Sequence, residues 1–281
     1  MKKIESQDIC NILTSHTDSV NLREPNPFYN IFLFEGNGTV KIDLTEYNFS
    51  GKILLFTTPY QFVRFNASEP FDILILQFHG DFYCIEYHKQ EVACNGLLFN
   101  NIYVQPFIEL NDDGFNEIRA LFNKLYKEVS HSDSYSQAVV RAYLQLVLAL
   151  SSKIKIADLA ADTSEYKKSP VTRFKSLLEE HFIKERQPAF YAEQLGISPN
   201  AFSKQCKLQF LRSPSELIRE RVILEAKKLI HLTYKSMKEI AAELNFDDEN
   251  YFSRYFKKHT GITPTTFRET VGISIVADLS R

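Results

Sequence analysis

The sequence predicts an α+β chain of two domains, a β-rich barrel followed by a helical hairpin and then an all-α domain built from a repeated helical unit. Three observations carry this prediction. The apolar pattern has period two in the first part and a helical period after it, charge is divided unequally between the halves, and the C-terminal part repeats itself. With 281 residues, 44% of them hydrophobic, the chain can bury two cores of ordinary size and is too apolar for a disordered segment.

Residues 29–78 read as short strands, with Asn37-Gly38 and Ser50-Gly51 as turn signals between runs such as 39–44 and 53–57. In the first of these runs Val40, Ile42 and Leu44 alternate with Lys41 and Asp43, the period of a sheet with one wet face. A small barrel or sandwich follows from such strands. After Asn111 the period becomes helical: Ile118, Leu121, Phe122, Leu125 and Val129 form one stripe, and a second, more thoroughly apolar helix covers about 134–151. A helical hairpin with this surplus of apolar surface can pack on the barrel, on a second copy of itself, or on both, so a homodimer is expected. Residues 155–169, rich in Asp, Ala, Ser, Thr and Lys with no sustained stripe, read as a linker.

Lys and Arg number 13 against 21 Asp and Glu over residues 1–165, and 20 against 14 over 166–281. The basic second half suits a phosphate backbone. The N-terminus has two lysines but no following apolar run, so no secretory signal is read. The most apolar stretch, 138–150, is too short for a bilayer and carries Arg141 and Gln145. Four scattered cysteines, Cys10, Cys84, Cys94 and Cys206, lack the close pairing of a disulfide or zinc framework, and a cytoplasmic protein is expected.

Beyond Ser169, Ser-Pro or Thr-Pro pairs at Ser169, Ser198, Ser213 and Thr263 each place a capping hydroxyl before a proline at the first helical position. Ser213 with Glu216, and Ser236 with Glu239, fit the capping box. Ala192, Leu195 and Gly196 parallel Ala241, Leu244 and Asn245; Phe202, Ser203, Lys204 and Lys207 parallel Phe252, Ser253, Arg254 and Lys257; Pro214 parallels Pro264. Each unit reads helix, tight turn, helix, with Gly196 or Asn245 able to take the left-handed conformation at the turn. Two helix-turn-helix units are therefore expected.

In the second helix of each unit, Phe202 and Cys206, like Phe252 and Phe256, share an inward face four residues apart. The opposite faces carry Asn200, Ser203, Lys204 and Lys207 in one unit, and Asn250, Ser253, Arg254 and Lys257 in the other, with Glu249 and Lys258 flanking the second stripe. A single polar face of this kind is ordinary solvated surface. Its recurrence at matching places points instead to base edges and phosphates. Residues 214–233 between the units read as one helix of roughly 30 Å, close to the roughly 34 Å of a DNA turn.

The run of Lys238, Ile240, Ala241, Leu244, Phe246, Tyr251, Phe252, Ser253, Arg254, Phe256, Lys257, Gly261, Pro264, Phe267 and Arg268 resembles the AraC/XylS regulator motif. The resemblance extends back through Arg221, Val222 and Ala226 to about Val171. It implies a seven-helix DNA-binding domain over 171–271, and the β-rich part, with Pro59, Tyr60 and Gln61 after a strand, resembles the family's cupin-like sensor domain followed by dimerising helices, at 1–154, with the linker at 155–170 between them. It further implies effector-controlled activation or repression of promoters, with double-stranded DNA and RNA polymerase as partners and no cofactor. Asn200, Ser203, Lys204, Glu249, Asn250, Ser253 and Arg254 are then expected at bases, and Lys207, Lys257, Lys258 and Arg268 at phosphates. The first unit departs from the pattern at Leu211, opposite Gly261, and at Cys206, where an aromatic is usual.

His79, Cys84, His88 and Cys94 lie close in sequence, but their spacing matches no established metal site. The competing reading is a metal-dependent cupin enzyme carrying a DNA-binding tail, which metal analysis would separate from a regulator. A fused alkyltransferase would need its own module around a nucleophilic cysteine, and no such module is read.

Overall fold

The computed structural model describes residues 10–17, 21–22, 26–43, 45–67, 69–80, 82–83, 97–99, 101–129, 135–161 and 171–273. They fall into two compact units, one drawn from 1–101 and 106–156, the other from 102–105 and 157–281.

The first unit is an antiparallel sheet with two helices. Its strands are β1 (Cys10–Thr17), β2 (Asn21–Leu22), β3 (Tyr29–Ile42), β4 (Thr45–Thr57), β5 (Val63–Ala67), β6 (Phe71–Phe78) and β7 (Phe107–Leu110). The order is β1-β6-β3-β4-β7, with β5 on β3 and β2 on β5. Among the described residues this path does not return to its start, so the pairing is that of an open sheet.

The sheet is nevertheless curled. Phe49 on β4 and Phe65 on β5 flank β3 from opposite sides, yet their rings lie 6.2 Å apart. Phe32, Phe34, Phe49, Phe65 and Phe71 fill this concave side together with Ile53, Leu55, Ile73 and Ile75. The other side carries Ile31, Leu33, Leu54, Phe56, Leu76 and Phe78, covered by α1 (Asp112–Val129) and α2 (Ser136–Ala161). Strands buried on both faces lose the wet alternation expected of the whole sheet: Ile31, Phe32, Leu33 and Phe34 are all buried in sequence.

Two turn readings are corrected. Asn37-Gly38 and Ser50-Gly51 pair with each other in the middle of β3 and β4 (Asn37 with Ser50, Gly38 with Phe49). The chain actually reverses after Ile42, where Asp43 takes φ 52°. The physical reason is non-local, because β3 exchanges one neighbour for another here. Residues 29–34 pair with β6 and residues 38–42 with β5. A Cβ on Gly38 would stand 2.4 Å from the Asn66 carbonyl oxygen, so glycine marks a close approach of backbones rather than a turn.

Of the stripe expected on α1, Ile118, Leu121, Phe122 and Leu125 lie in the core and Val129 is partly buried against it. The second helix runs ten residues past its expected end, through Ala161, into the segment read as linker. Lys155, which composition marks as solvent-facing, is 5% exposed, and its Nζ donates to the Phe107 carbonyl at 2.6 Å.

The second unit is helical: α3 (Thr172–His181), α4 (Pro188–Gln194), α5 (Pro199–Phe210), α6 (Pro214–Leu232), α7 (Met237–Glu243), α8 (Glu249–Thr260) and α9 (Pro264–Val271). Ser198, Ser213, Ser236 and Thr263 cap α5, α6, α7 and α9 as expected, and both capping boxes form. The cap read at Ser169 lies outside the described residues. Helix α6 buries Ile218, Val222, Ala226, Leu229 and Ile230, and its 19 residues span about 28 Å.

Candidate nucleic-acid interface

Each pair of short helices is held by the same local chemistry. Gly196 (φ 67°) and Asn245 (φ 55°) take left-handed conformations after α4 and α7, turning the chain sharply into α5 and α8. The Ser198 hydroxyl accepts from Ala201 N at 3.3 Å, and Asp248 Oδ1 accepts from Tyr251 N at 2.7 Å. The cap at Asp248 was readable by the same rule as the serines but was not singled out. Tyr191 and Ala192, and likewise Ile240 and Ala241, are buried on the supporting helices.

On α5, Phe202 and Cys206 are fully buried, and on α8 so are Phe252 and Phe256. The opposite faces are open. Asn200, Lys204 and Lys207 are exposed and Ser203 is half-buried; Glu249, Asn250, Arg254, Lys257 and Lys258 are exposed and Ser253 is half-buried. On a helix turning about 100° per residue, Asn250, Ser253, Arg254 and Lys257 fall in one arc, as do Asn200, Ser203, Lys204 and Lys207. The structure therefore brings each sequence-read set together on one face, and the two faces correspond residue for residue.

The correspondence breaks in two places. Leu208, 69% exposed, stands where the second unit has Lys258, and Leu211, 59% exposed, takes φ 59° where the second unit has Gly261 at φ 82°. Beyond the matched pair Lys207 and Lys257, the end of α5 thus offers apolar Leu208 and Leu211 where the end of α8 offers Lys258 and His259. His259 adds little charge: burial first, then Arg219 and Lys258 nearby, lower its pKa to about 4.

Arg268 stands apart from the other expected phosphate contacts. Its Nε donates to the Ile230 carbonyl at 3.1 Å and its Nη2 to the Thr233 carbonyl at 3.5 Å. It closes the C-terminal end of α6, where unpaired carbonyls need donors. A cation read as facing phosphate is thus committed to the helix end, and desolvation lowers its pKa. Arg221, given no structural part by the sequence reading, pairs with Glu179 (2.8 Å) and Glu225 (2.9 Å) and stacks 3.9 Å over Phe182, tying α3 to α6.

Nothing among the described residues groups three or more His, Cys, Asp or Glu in a way that could hold a metal. Of the residues discounted earlier, His79 is buried, while Cys84, His88 and Cys94 lie outside the described residues. Cys206 is a buried thiol whose pKa is pushed up to about 12 by desolvation, which suits packing rather than reactivity. No helix of the described chain is long and apolar enough to cross a membrane.

Residues 191–270 match the family model described as a helix-turn-helix domain. The transcriptional activator RhaR of Enterobacter sp. (strain 638) is 26% identical over 191 residues. That alignment spans 66% of this chain and 66% of the activator's own length, just under two thirds. The virulence regulon transcriptional activator VirF of Yersinia enterocolitica is 23% identical over 234 residues, covering 83% of this chain and 84% of that one. Among solved structures, ToxT from Vibrio cholerae O395 aligns over 93% of this chain and 97% of its own, with 14% identity and a TM-score of 0.40.

Proposed function

With residues 191–270 an AraC/XylS-type helix-turn-helix domain, we propose that this chain is a transcription regulator whose helices α5 and α8 enter successive major grooves of duplex DNA. It acts by binding and not by catalysis. One observation carries the reading: α5 and α8, which precede and follow α6 in the chain, expose matching hydrogen-bonding and cationic side chains over a buried inward face, Phe202 and Cys206 on α5, Phe252 and Phe256 on α8. The length of α6, about 28 Å, suits grooves roughly one DNA turn apart.

In this reading Asn200, Ser203, Lys204, Glu249, Asn250, Ser253 and Arg254 meet base edges. Lys207, Lys257 and Lys258 meet phosphates, and Arg268 is left to its helix end. The DNA-binding domain spans 171–271 and the linker is confined to 162–170. The first unit is cupin-like in plan, because the phenylalanines on its concave side are wrapped as in a barrel interior. It controls the regulator through an effector and through dimerisation by α2. The relatives named as activators support activation, with RNA polymerase as the second partner, and a cytoplasmic setting follows from that work.

Arg254 offers the paired donors that fit guanine O6 and N7, whereas Lys258, one turn nearer the helix end, is a point charge for phosphate. Arg254→Ala should cost about 1–3 kcal/mol and relax preference at one base pair, while Lys258→Ala should weaken all sequences alike and lower the salt slope by about one unit. Lys204→Ala should relax preference in the other half of the site. The measurement is affinity for a panel of single-base variants at several salt concentrations. If Arg254→Ala altered only the salt slope, the division into readers and clamps would be wrong.

A further inference from the structure

One residue crosses directly from the first helix-turn-helix unit to the turn of the second. Arg186 lies two residues before α4. The loop carrying it is held on both sides: Glu185 N donates to the His181 carbonyl at 2.8 Å, and the Tyr191 hydroxyl donates to the Glu185 carbonyl at 2.7 Å. From this fixed base the Arg186 guanidinium reaches the end of α7, where Nη2 donates to the Leu244 carbonyl and, at 3.5 Å, to the Asn245 carbonyl. The same guanidinium sits over the ring of Phe246, its Cζ 4.0 Å from the ring centroid.

The receiving surface belongs to the recognition helix as much as to the turn. Phe246 is 6% exposed, and its ring touches Tyr251 (5.7 Å), Phe252 (5.3 Å) and Tyr255 (5.2 Å), all on α8. Asn245 is the left-handed residue that aims α8 away from α7. A cation at the C-terminal end of α7 also meets the negative end of its helix dipole. Arg186 Nε is buried with no partner, so the side chain gives up hydration to hold this position.

Taking α5 and α8 as the two readers, as proposed above, we propose that Arg186 is a specificity-determining positioning residue, a strut that fixes the angle between the readers and so makes the protein demand one spacing between its two half-sites. The shared helix α6 contacts α4, α5, α7 and α8 and sets the distance between the units. The strut adds a second point of attachment, and two points resist the rotation that one allows. One inserted base pair moves the second half-site by about 3.4 Å and turns it by about 34°. A rigid pair of readers cannot follow that turn, whereas a pair joined through α6 alone can follow part of it.

The test uses the full chain with Arg186→Met, which keeps apolar packing on Phe246 but has no donors, and with Arg186→Lys, which keeps the charge but has no planar fork. Affinity is measured on a site selected by the parent from random duplexes, on the same site with one base pair inserted or deleted between its halves, and on the half read by α8 alone. The parent should lose tenfold or more on insertion. Both variants should lose less than threefold on insertion, bind the unaltered site several-fold more weakly, and bind the single half-site as the parent does. A parent-like spacing penalty in Arg186→Met would overturn the strut. So would an equal loss on the half-site, which would make Arg186 a local support of α8.

A second readout needs no DNA. Spin labels on cysteines introduced at Glu193 and Ala242, in a chain with its native cysteines replaced, report the distance between α4 and α7. A narrow distribution in the parent that broadens in Arg186→Met supports the strut, and equal widths refute it. A parent that selects no DNA would sink the regulator reading, and the distance distribution would still decide the strut.

Discussion

Leu211 illustrates how a single residue departs from the pattern around it. It ends α5 in the left-handed region, its N–H donating to the Lys207 carbonyl at 3.1 Å, the same closure that Gly261 makes onto Lys257 at the end of α8. A residue with a Cβ is strained by about 1–2 kcal/mol in that conformation, and glycine returns part of the gain as unfolded-chain entropy. With 59% of Leu211 exposed, little burial is lost on removing its side chain. Leu211→Gly should therefore stabilise the second unit by about 0.5–1 kcal/mol, read as a higher urea midpoint in the helical circular dichroism signal. A lower midpoint would mean that the unfolded-chain entropy of glycine, or packing of the leucine within the chain, outweighs the strain relieved. At this scale the sequence was informative wherever the cause was local: Gly196, Asn245 and the capping serines behave as their types require. Arg268 and Arg186 were not legible, because their carbonyl partners lie 38 and 58 residues away and no local pattern announces them.

At the scale of one element, α8 combines a reading face with a pH-sensitive end. Its last turn holds Lys257, Lys258 and His259, which the helix dipole favours as cations. Burial, with Arg219 and Lys258 adding repulsion, nevertheless keeps the imidazole neutral down to a pKa of about 4, against an ordinary 6.5. Between those values the unfolded chain holds a proton that the folded chain does not, so stability is fully present above about 6.5 and falls as pH drops toward 4. His259→Gln should flatten this dependence. Urea midpoints of parent and variant at pH 7.5 and 5.0 would test it, and an equal drop in both would assign the effect to other groups. The faces of α5 and α8 were legible from spacing alone. The course of β3 was not, because its change of neighbour is dictated by β5 and β6, strands that no window along β3 contains.

For the whole molecule, the exposed apolar residues of α2 set the expectation. Tyr135 just ahead of it (78% exposed), with Val139 (36%) and Leu146 (44%) within it, recurs at near-helical spacing on the side away from the core residues Val140, Leu144, Val147 and Leu148. A second copy is the simplest cover for such a stripe. The chain should sediment as a dimer at micromolar concentration, and Val139→Glu with Leu146→Glu should yield a folded monomer that binds a two-fold site more weakly. A parent that is monomeric at that concentration would remove dimerisation from the proposal.

The double burial of β3 has a consequence for folding fidelity. In a sheet with one wet face, sliding a strand by one residue drives charges into the core and is rejected at once. Here such a slide would exchange Ile31 and Leu33 for Phe32 and Phe34, apolar for apolar, and polarity would scarcely object. Correct pairing must be told from incorrect by volume, aliphatic side chains toward the helices and phenyl rings toward the concave side, and by two fixed marks. One is Gly38, where any other residue would strike Asn66. The other is Asn30, 3% exposed, which donates to Thr57 Oγ1 at 3.1 Å and accepts from Gln77 Nε2 at 2.7 Å across both neighbouring strands. These few polar atoms at the end of an oily strand act as its alignment key.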